Sequence, residues 1–169
     1  NHMLVLADEA HGTHFYFHPD FAAPAIWAGA DISAISVHKT GVSMTQSSAL
    51  LVSSDIIDED RVLHALGLMY TSSASYPLMC SLDVARKQLA LHGERLLDKA
   101  LNLARRAREE INGTDGLIAF GPELAGSPGC FDFDETKLGV HVTSLGRSGR
   151  SVELLLREKY NIQVELADL

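Results

Sequence analysis

The segment Ser36-Val37-His38-Lys39-Thr40 carries a hydroxyl, an imidazole and an amine at the end of a predicted β-strand, Ile32–Val37. Taken alone, a lysine is most often a solvated surface residue. Asp8, however, directly follows an earlier predicted strand, Leu4–Ala7. In α/β proteins, ligands bind at the edge where the carboxyl ends of the strands meet. The spacing therefore predicts one shared site for Asp8, Ser36, His38 and Lys39.

Pyridoxal phosphate is a cofactor whose requirements these residue types meet. It forms a Schiff base with a lysine, and a carboxylate beside its pyridine nitrogen keeps that nitrogen protonated. Short polar side chains bind its phosphate. Lys39 can supply the amine and Asp8 the carboxylate, so the sequence predicts a pyridoxal phosphate site.

The first of these strand ends also permits a different hypothesis. Asp8-Glu9-Ala10-His11 has the form of the acidic motif of nucleic-acid-dependent ATPases, whose first carboxylate holds magnesium beside a phosphate loop. That loop has the pattern Gly-x-x-x-x-Gly-Lys-Ser/Thr, which occurs nowhere in the sequence. The glycine-rich turn Leu145–Gly149 precedes a predicted helix but has no lysine. The ATPase hypothesis is therefore disfavoured.

A cluster of histidines suggests a metal site at first sight. His11, His14 and His18 have a spacing that suits one face of a helix, and neutral imidazoles are good zinc ligands. Gly12 and the aromatic run Phe15–Phe17 favour an extended or irregular segment instead, and no cysteine lies nearby to complete a tetrahedral site. We predict structural or single-role histidines and no metal.

Composition restricts the class of protein and its partners. The 169 residues are 46% hydrophobic, enough to bury a core, and the formal net charge of -8 argues against nucleic acid or an anionic membrane as partner. The longest apolar runs, such as 49–52, are far shorter than the ~20 residues that span a bilayer. With only Cys80 and Cys130, a disulfide framework is not expected, and a cytoplasmic location is the default.

The pattern of apolar and turn residues predicts an α/β fold. Three strands are expected, at Leu4–Ala7, which is predicted to be buried, at Ile32–Val37 and at Ala49–Ser53, with a short helix at Ala22–Ala28. Asp55 or Asp58 can cap a further helix that runs to about Leu68. The hydroxyl-rich stretch 70–75 is then expected to be a loop.

A long helix is predicted from Pro77 to Ile111, because apolar residues recur at three-and-four spacing along one face. Gly93 can kink or split it, and Asn112-Gly113 ends it. A strand at 138–142, a helix at 148–160 and a final strand at 162–166 follow. Long helices often tie two domains together, so we predict one domain over 1–111 and the beginning of a smaller one over 112–169.

Several segments of the sequence can be compared as a set with known families: Val5 to Phe15, Gly29 to Asp31, Ser36 to Thr40, Thr45 to Ser48, Thr71 to Tyr76, Ser81 to Arg86, Leu145 to Gly149 and Tyr160 to Glu165. In order and spacing they resemble the pyridoxal-phosphate-dependent ornithine/lysine/arginine decarboxylases of the aspartate aminotransferase fold. The resemblance covers essentially the whole chain. It implies part of a fold-type I large domain, a long connecting helix and the start of an α+β small domain.

The resemblance also implies a role for each site residue. Asp8 would pair with the pyridine nitrogen, Ala10 would pack under the ring, and Lys39 would hold the cofactor covalently. The cofactor phosphate would contact Ser36, His38, and, across a dimer interface, Thr71 and Ser72. Lys39 or a nearby histidine, for which His11 is the candidate, would donate the proton to the α-carbon.

The implied activity is decarboxylation of a basic amino acid, lysine, arginine or ornithine, to the amine and CO2 by a homodimer or higher oligomer. Family members are considerably longer, and their phosphate loop and ring-stacking histidine lie upstream of the residues present, so we expect a fragment that is inactive alone. Two alternatives stay open. One is another fold-type I enzyme, an acyltransferase or aminotransferase, and the other is a non-catalytic remnant.

Overall fold

The structure is a computed structural model that describes residues 3–53 and 55–168. It divides into two compact units, Asn1–Leu97 and Asp98–Leu169, and the division falls within the long helix. The domain boundary expected after residue 111 stays a prediction. Among the described residues, no helix has the length and apolar composition needed to cross a membrane.

The sheet of the first unit carries the strand ends that matter for function. It contains β1 (Leu6–Asp8), β2 (Ile32–Ile35) and β3 (Ala49–Val52) in that spatial order. β1 and β2 are parallel and β2 and β3 are antiparallel. All three strands were predicted close to these positions. The expected burial of the first strand is wrong, however, because β1 is an edge of this sheet and Leu6 is 68% exposed.

The segment between β1 and β2 is irregular. A 3-10 helix spans Thr13–Phe17, and 25–29 forms turns instead of the short helix expected over 22–28. Pro24 has no N–H to donate, and Gly29 has a φ of 100°, which takes the chain out of the helical region. Backbone bonds from Ala28 N–H to Pro24 O, from Gly29 N–H to Ile26 O and from Ala30 N–H to Ala25 O close overlapping turns in this segment.

Three helices complete the first unit: α1 (Val37–Thr40), α2 (Glu59–Met69) and α3 (Tyr76–Asn112), the last of which continues into the second unit. Asp58 caps α2 by accepting the Arg61 N–H at 3.2 Å, as predicted. Gly93 does not interrupt α3. A Cβ there would lie 3.1 Å from Phe17 Cβ, so the glycine allows close packing.

The core of this unit lies where β2 and α1 meet α3. Ile35, Val37 and Ala85 are buried together, with Tyr16, Ala49, Leu51 and Leu82 packed against them. Ile35 and Val37 immediately flank Ser36. The apolar residues that alternate with the polar site residues therefore anchor the Ser36–Lys39 segment in the core.

The second unit contains β4 (Ile118–Phe120) and β5 (Gly139–His141), which pair antiparallel, and α4 (Gly149–Tyr160). β5 and α4 match the predicted strand and helix, whereas β4 was not predicted. The strand expected at 162–166 is wrong, because no strand forms there. Instead Asn161 caps α4 in the left-handed conformation, and the Ile162 N–H bonds back to Leu156 O.

Arg108 links α3 to the rest of this unit. Its side chain is 7% exposed and donates to three backbone carbonyls: Phe120 O at 3.1 Å, Glu135 O at 2.9 Å and Lys137 O at 3.1 Å. These bonds hold the end of β4 and the segment before β5. One charged side chain thus satisfies carbonyls that belong to two otherwise separate segments.

We expect Arg108→Met to lower the free energy of unfolding by about 3 kcal/mol, because it removes three charge-assisted hydrogen bonds made by a buried side chain. Arg106→Met is the matched control. Arg106 is exposed and pairs with Glu110 one helical turn away, so its loss should leave the urea midpoint close to that of the wild type. Urea unfolding curves measure both, and equal midpoints for the two variants would contradict the role of Arg108.

Candidate active site

The two parallel strands of the first unit end at the same edge of the sheet. Asp8, the last residue of β1, is in register with Ala34, so β2 ends only one residue further along, at Ile35. Ser36 follows, and the short helix α1 carries His38 and Lys39. The predicted meeting of the two strand ends is therefore present in the structure.

Side-chain contacts join the two segments. Lys39 Nζ lies 3.5 Å from His11 Nε2, and Thr40 Oγ1 donates to His11 O at 3.4 Å. Both Lys39 and His11 are exposed. An ammonium can only donate, so a charged Lys39 places the acceptor lone pair of a neutral imidazole on His11 Nε2. This amine and imidazole are close enough to exchange a proton.

The carboxylate at the end of β1 is also exposed. Asp8 Oδ1 accepts the Ala10 N–H at 3.1 Å, which closes a small turn directly after the strand. Ala10 is half-buried behind it. This turn presents the Asp8 carboxylate at the sheet edge and brings the chain on to His11.

The other two residues predicted at this edge are held differently. His38 Nδ1 donates to Ser47 O at 2.8 Å, since a carbonyl can only accept. That bond fixes the ring and turns Nε2 away from Ser47. Ser36 precedes α1, and its hydroxyl makes no capping bond. A hydroxyl and an imidazole nitrogen are thus present on the same turn as Lys39.

Ser47 itself was not singled out by the sequence. It is 5% exposed, and its hydroxyl donates to Met44 O at 2.5 Å and accepts from Ser43 Oγ at 3.1 Å. The loop it organises contains Val42 and Gln46, both with φ near 60°. Such backbone angles are unfavourable for a β-branched residue and recur near functional sites. The two consecutive serines at positions 47 and 48, which follow the Lys39 segment, were the sequence signal from which this loop could have been recognised.

Thr71 and Ser72 lie in the exposed loop between α2 and α3, where Thr71 Oγ1 accepts the Ser73 N–H at 3.2 Å. Their expected role across a dimer interface stays a prediction. Among the described residues, no group of three acidic, histidine or cysteine side chains could hold a metal ion. His14 and His18 instead pack against Phe21, with ring centroids 4.6 and 5.5 Å away.

These groups fit the chemistry of pyridoxal phosphate. An aldehyde needs an accessible amine, and Lys39 is exposed beside an imidazole that can take up its proton. A pyridinium nitrogen needs a carboxylate, and Asp8 is exposed at the neighbouring strand end. Ser36 and His38 offer short polar groups for a phosphate. The donor set is thus compatible with the cofactor.

Comparison with a solved structure supports the fold class. The chain superposes on the constitutive lysine decarboxylase of E. coli with a TM-score of 0.71 at 18% identity, covering 96% of this chain and 28% of that one. This match confirms the mixed α/β fold that the sequence predicts. The more detailed arrangement of domains stays a prediction.

Sequence comparison identifies the family. Residues 1–141 match the model of "Orn/Lys/Arg decarboxylase, major domain". The chain is 48% identical over 165 residues to an arginine decarboxylase of Bacillus subtilis and 47% identical to one of Halalkalibacterium halodurans, covering 98% of this chain in each case. It spans about a third, 34%, of the length of each. The chain belongs to the Orn/Lys/Arg decarboxylase family, as its motifs predicted.

Proposed function

We propose that this chain is the middle part of a pyridoxal-phosphate-dependent decarboxylase that converts a basic amino acid to its amine and CO2. The observation that carries the proposal is the contact between Lys39 Nζ and His11 Nε2, 3.5 Å apart at the sheet edge that Asp8 also occupies. An amine, an imidazole and a carboxylate at neighbouring strand ends are what this reaction requires.

Pyridoxal phosphate, when bound, supplies an electron sink for the pair of electrons that CO2 leaves behind. Lys39 Nζ is the amine that would hold the cofactor covalently through its aldehyde. The Asp8 carboxylate keeps the pyridine nitrogen protonated, because a nearby negative charge favours the charged form of a base. Ala10 would pack against the ring, while Ser36 Oγ and His38 Nε2 would bind the phosphate.

The proton that replaces CO2 on the α-carbon comes from the Lys39–His11 pair. The Lys39 amine, when free, could carry a proton at the strand end, and His11 Nε2, 3.5 Å away, lies within reach to supply or accept one. The two groups are proposed to act together. The geometry favours neither over the other as the final donor.

Arginine is the substrate that the relatives favour among lysine, arginine and ornithine, because the Bacillus subtilis and Halalkalibacterium halodurans proteins are both named arginine decarboxylases. Family membership argues against the acyltransferase and aminotransferase alternatives. Cys80 and Cys130 are free thiols, which accords with the proposed cytoplasmic location.

The site is proposed to be completed by residues that the chain does not contain. A phosphate loop and a ring-stacking histidine would come from the rest of the enzyme, and Thr71 and Ser72 would reach the phosphate of a neighbouring subunit. The exposure of Asp8, His11 and Lys39 is consistent with further protein covering them. The isolated chain is therefore expected to bind the cofactor weakly and to be inactive.

Borohydride reduction of the full-length enzyme with bound cofactor should attach the label to Lys39 alone. This lysine lies at a strand end beside a proton acceptor, whereas Lys87 and Lys99 lie on exposed positions of α3 and serve as internal controls. Peptide mapping by mass spectrometry locates the label. Labelling of Lys87 or Lys99, or of no lysine, would refute the assignment.

A further inference from the structure

The carboxylate next to Asp8 is bound by donors from three different segments. Glu9 Oε2 accepts from Ser33 Oγ at 2.7 Å and from Tyr16 OH at 2.9 Å, and Glu9 Oε1 accepts the Ala25 N–H at 2.9 Å. Ser33 is completely buried in β2. Neither the ATPase hypothesis nor the proposed reaction assigns this side chain a task.

Side chains of successive residues in an extended segment point to opposite sides. Glu9 continues the pairing of β1 with β2, because its N–H donates to Ala34 O at 2.9 Å. Asp8 is exposed, whereas Glu9 contacts the interior. The hydrogen bonds that hold the Glu9 side chain therefore also fix the direction in which the Asp8 side chain points.

The turn that follows is built around the same side chain. Gly12 N–H donates to Glu9 O at 2.8 Å, and a Cβ at position 12 would lie 2.3 Å from Glu9 Cγ. Glycine is thus required where the turn closes over Glu9. Between Glu9 and Gly12 lie Ala10 and His11, two of the proposed site residues.

We propose that Glu9 is the positioning residue of the site: its carboxylate fixes turn 8–12, and through that turn it sets Asp8 and His11 at the distance from Lys39 that the cofactor requires. The proposal rests on the proposed function. Burial, the hydrogen bond from Tyr16 to Glu9 and the charge of that carboxylate together raise the pKa of Tyr16 to about 12, which agrees with a strong bond between the two.

The first test needs no cofactor. In Glu9→Gln, one side-chain atom that accepts becomes a donor, so at least one of the three bonds fails. Amide hydrogen exchange in residues 8–12 should accelerate about tenfold, the factor that corresponds to about 1.4 kcal/mol. The pKa of Tyr16, followed by NMR of ¹³C-labelled tyrosine and assigned with Tyr16→Phe, should fall. Glu109→Gln, an exposed carboxylate of α3, should change neither quantity.

The second test uses the full-length enzyme. Glu9→Gln should weaken binding of pyridoxal phosphate about tenfold, which is a loss of about 1.4 kcal/mol. It should also shift the pH at which the absorbance of the bound cofactor changes, because Asp8 no longer sits at its proper distance from the ring. A residue that merely stabilises the fold would lower the melting temperature without this spectral shift.

The possible outcomes distinguish failure of the positioning role of Glu9 from failure of the proposed function. Glu9→Gln with wild-type exchange over residues 8–12, or with faster exchange but unchanged cofactor affinity and spectrum, overturns the positioning role. If Glu9→Gln does not fold, Tyr16→Phe removes one of the same bonds and should show the same changes in amide exchange, cofactor affinity and cofactor spectrum at smaller size. If the wild-type enzyme itself carries no cofactor on Lys39, the proposed function fails instead, and the exchange measurement still decides whether Glu9 holds the turn.

Discussion

Lys39→Ala in the full-length enzyme is expected to reduce decarboxylation by at least about 10³-fold, within the range that a single positioned proton donor contributes, and to abolish borohydride labelling. The variant removes both the amine proposed to hold the cofactor and one member of the pair with His11. The side chain is exposed, so its loss should leave the fold intact. Turnover of arginine and the melting temperature measure the two effects.

Lys39→Arg separates covalent chemistry from charge. A guanidinium keeps the positive charge near His11 but does not lose its proton in proteins, so it cannot condense with an aldehyde. This variant should be as inactive as Lys39→Ala. Lys87→Ala, on α3, is the control and should retain wild-type turnover. Activity above a tenth of wild type in either Lys39 variant would contradict the role of the lysine.

The sequence could predict those elements whose signals are local. Asp58 caps α2 through a residue three positions away, and the apolar spacing that defines α3 continues through Gly93 to Asn112. The meeting of two strand ends at the candidate site was predictable for a related reason. Asp8 and Lys39 are distant in sequence, but each follows a recognisable strand, and parallel strands in one sheet bring their ends together.

Features that depend on distant partners could not be predicted in the same way. The segment 162–166 alternates like a strand, yet a strand exists only where a neighbour pairs with it, and here the Ile162 N–H bonds to the end of α4. β4, by contrast, has a pairing partner but no recognisable pattern in the sequence. Its three residues, Ile118–Phe120, are too few to form a pattern, and they pair with β5 about twenty residues away.

Glu9 shows how this limit affects a site. The sequence placed it beside Asp8 in the Asp8–His11 motif but assigned a role only to Asp8. Its partners Tyr16, Ala25 and Ser33 are spread over later segments that only the fold brings together. The alternation of side chains along a strand was the available signal, since it requires Asp8 and Glu9 to face opposite sides.

Asp8→Asn should retain the cofactor on Lys39 while turnover falls about 10- to 10³-fold, the range that corresponds to the 1–3 pKa units by which a neighbouring opposite charge shifts a base. Asparagine has nearly the same shape as aspartate, and its amide oxygen can still accept the Ala10 N–H, so the turn after β1 should persist. What disappears is the negative charge that keeps the pyridine nitrogen protonated.

Two measurements on Asp8→Asn test this explanation together: borohydride labelling of Lys39 and the rate of CO2 release. Asp20→Asn is the matched control, because Asp20 is an exposed carboxylate of the same unit outside the site, and its turnover should equal that of the wild type. Full turnover in Asp8→Asn would show that the ring nitrogen needs no charged partner. Loss of the label would show that Asp8 holds the cofactor in place and does not act mainly on its electronics. Retained labelling of Lys39 together with slow CO2 release is the result expected if the Asp8 carboxylate acts by keeping the ring nitrogen protonated.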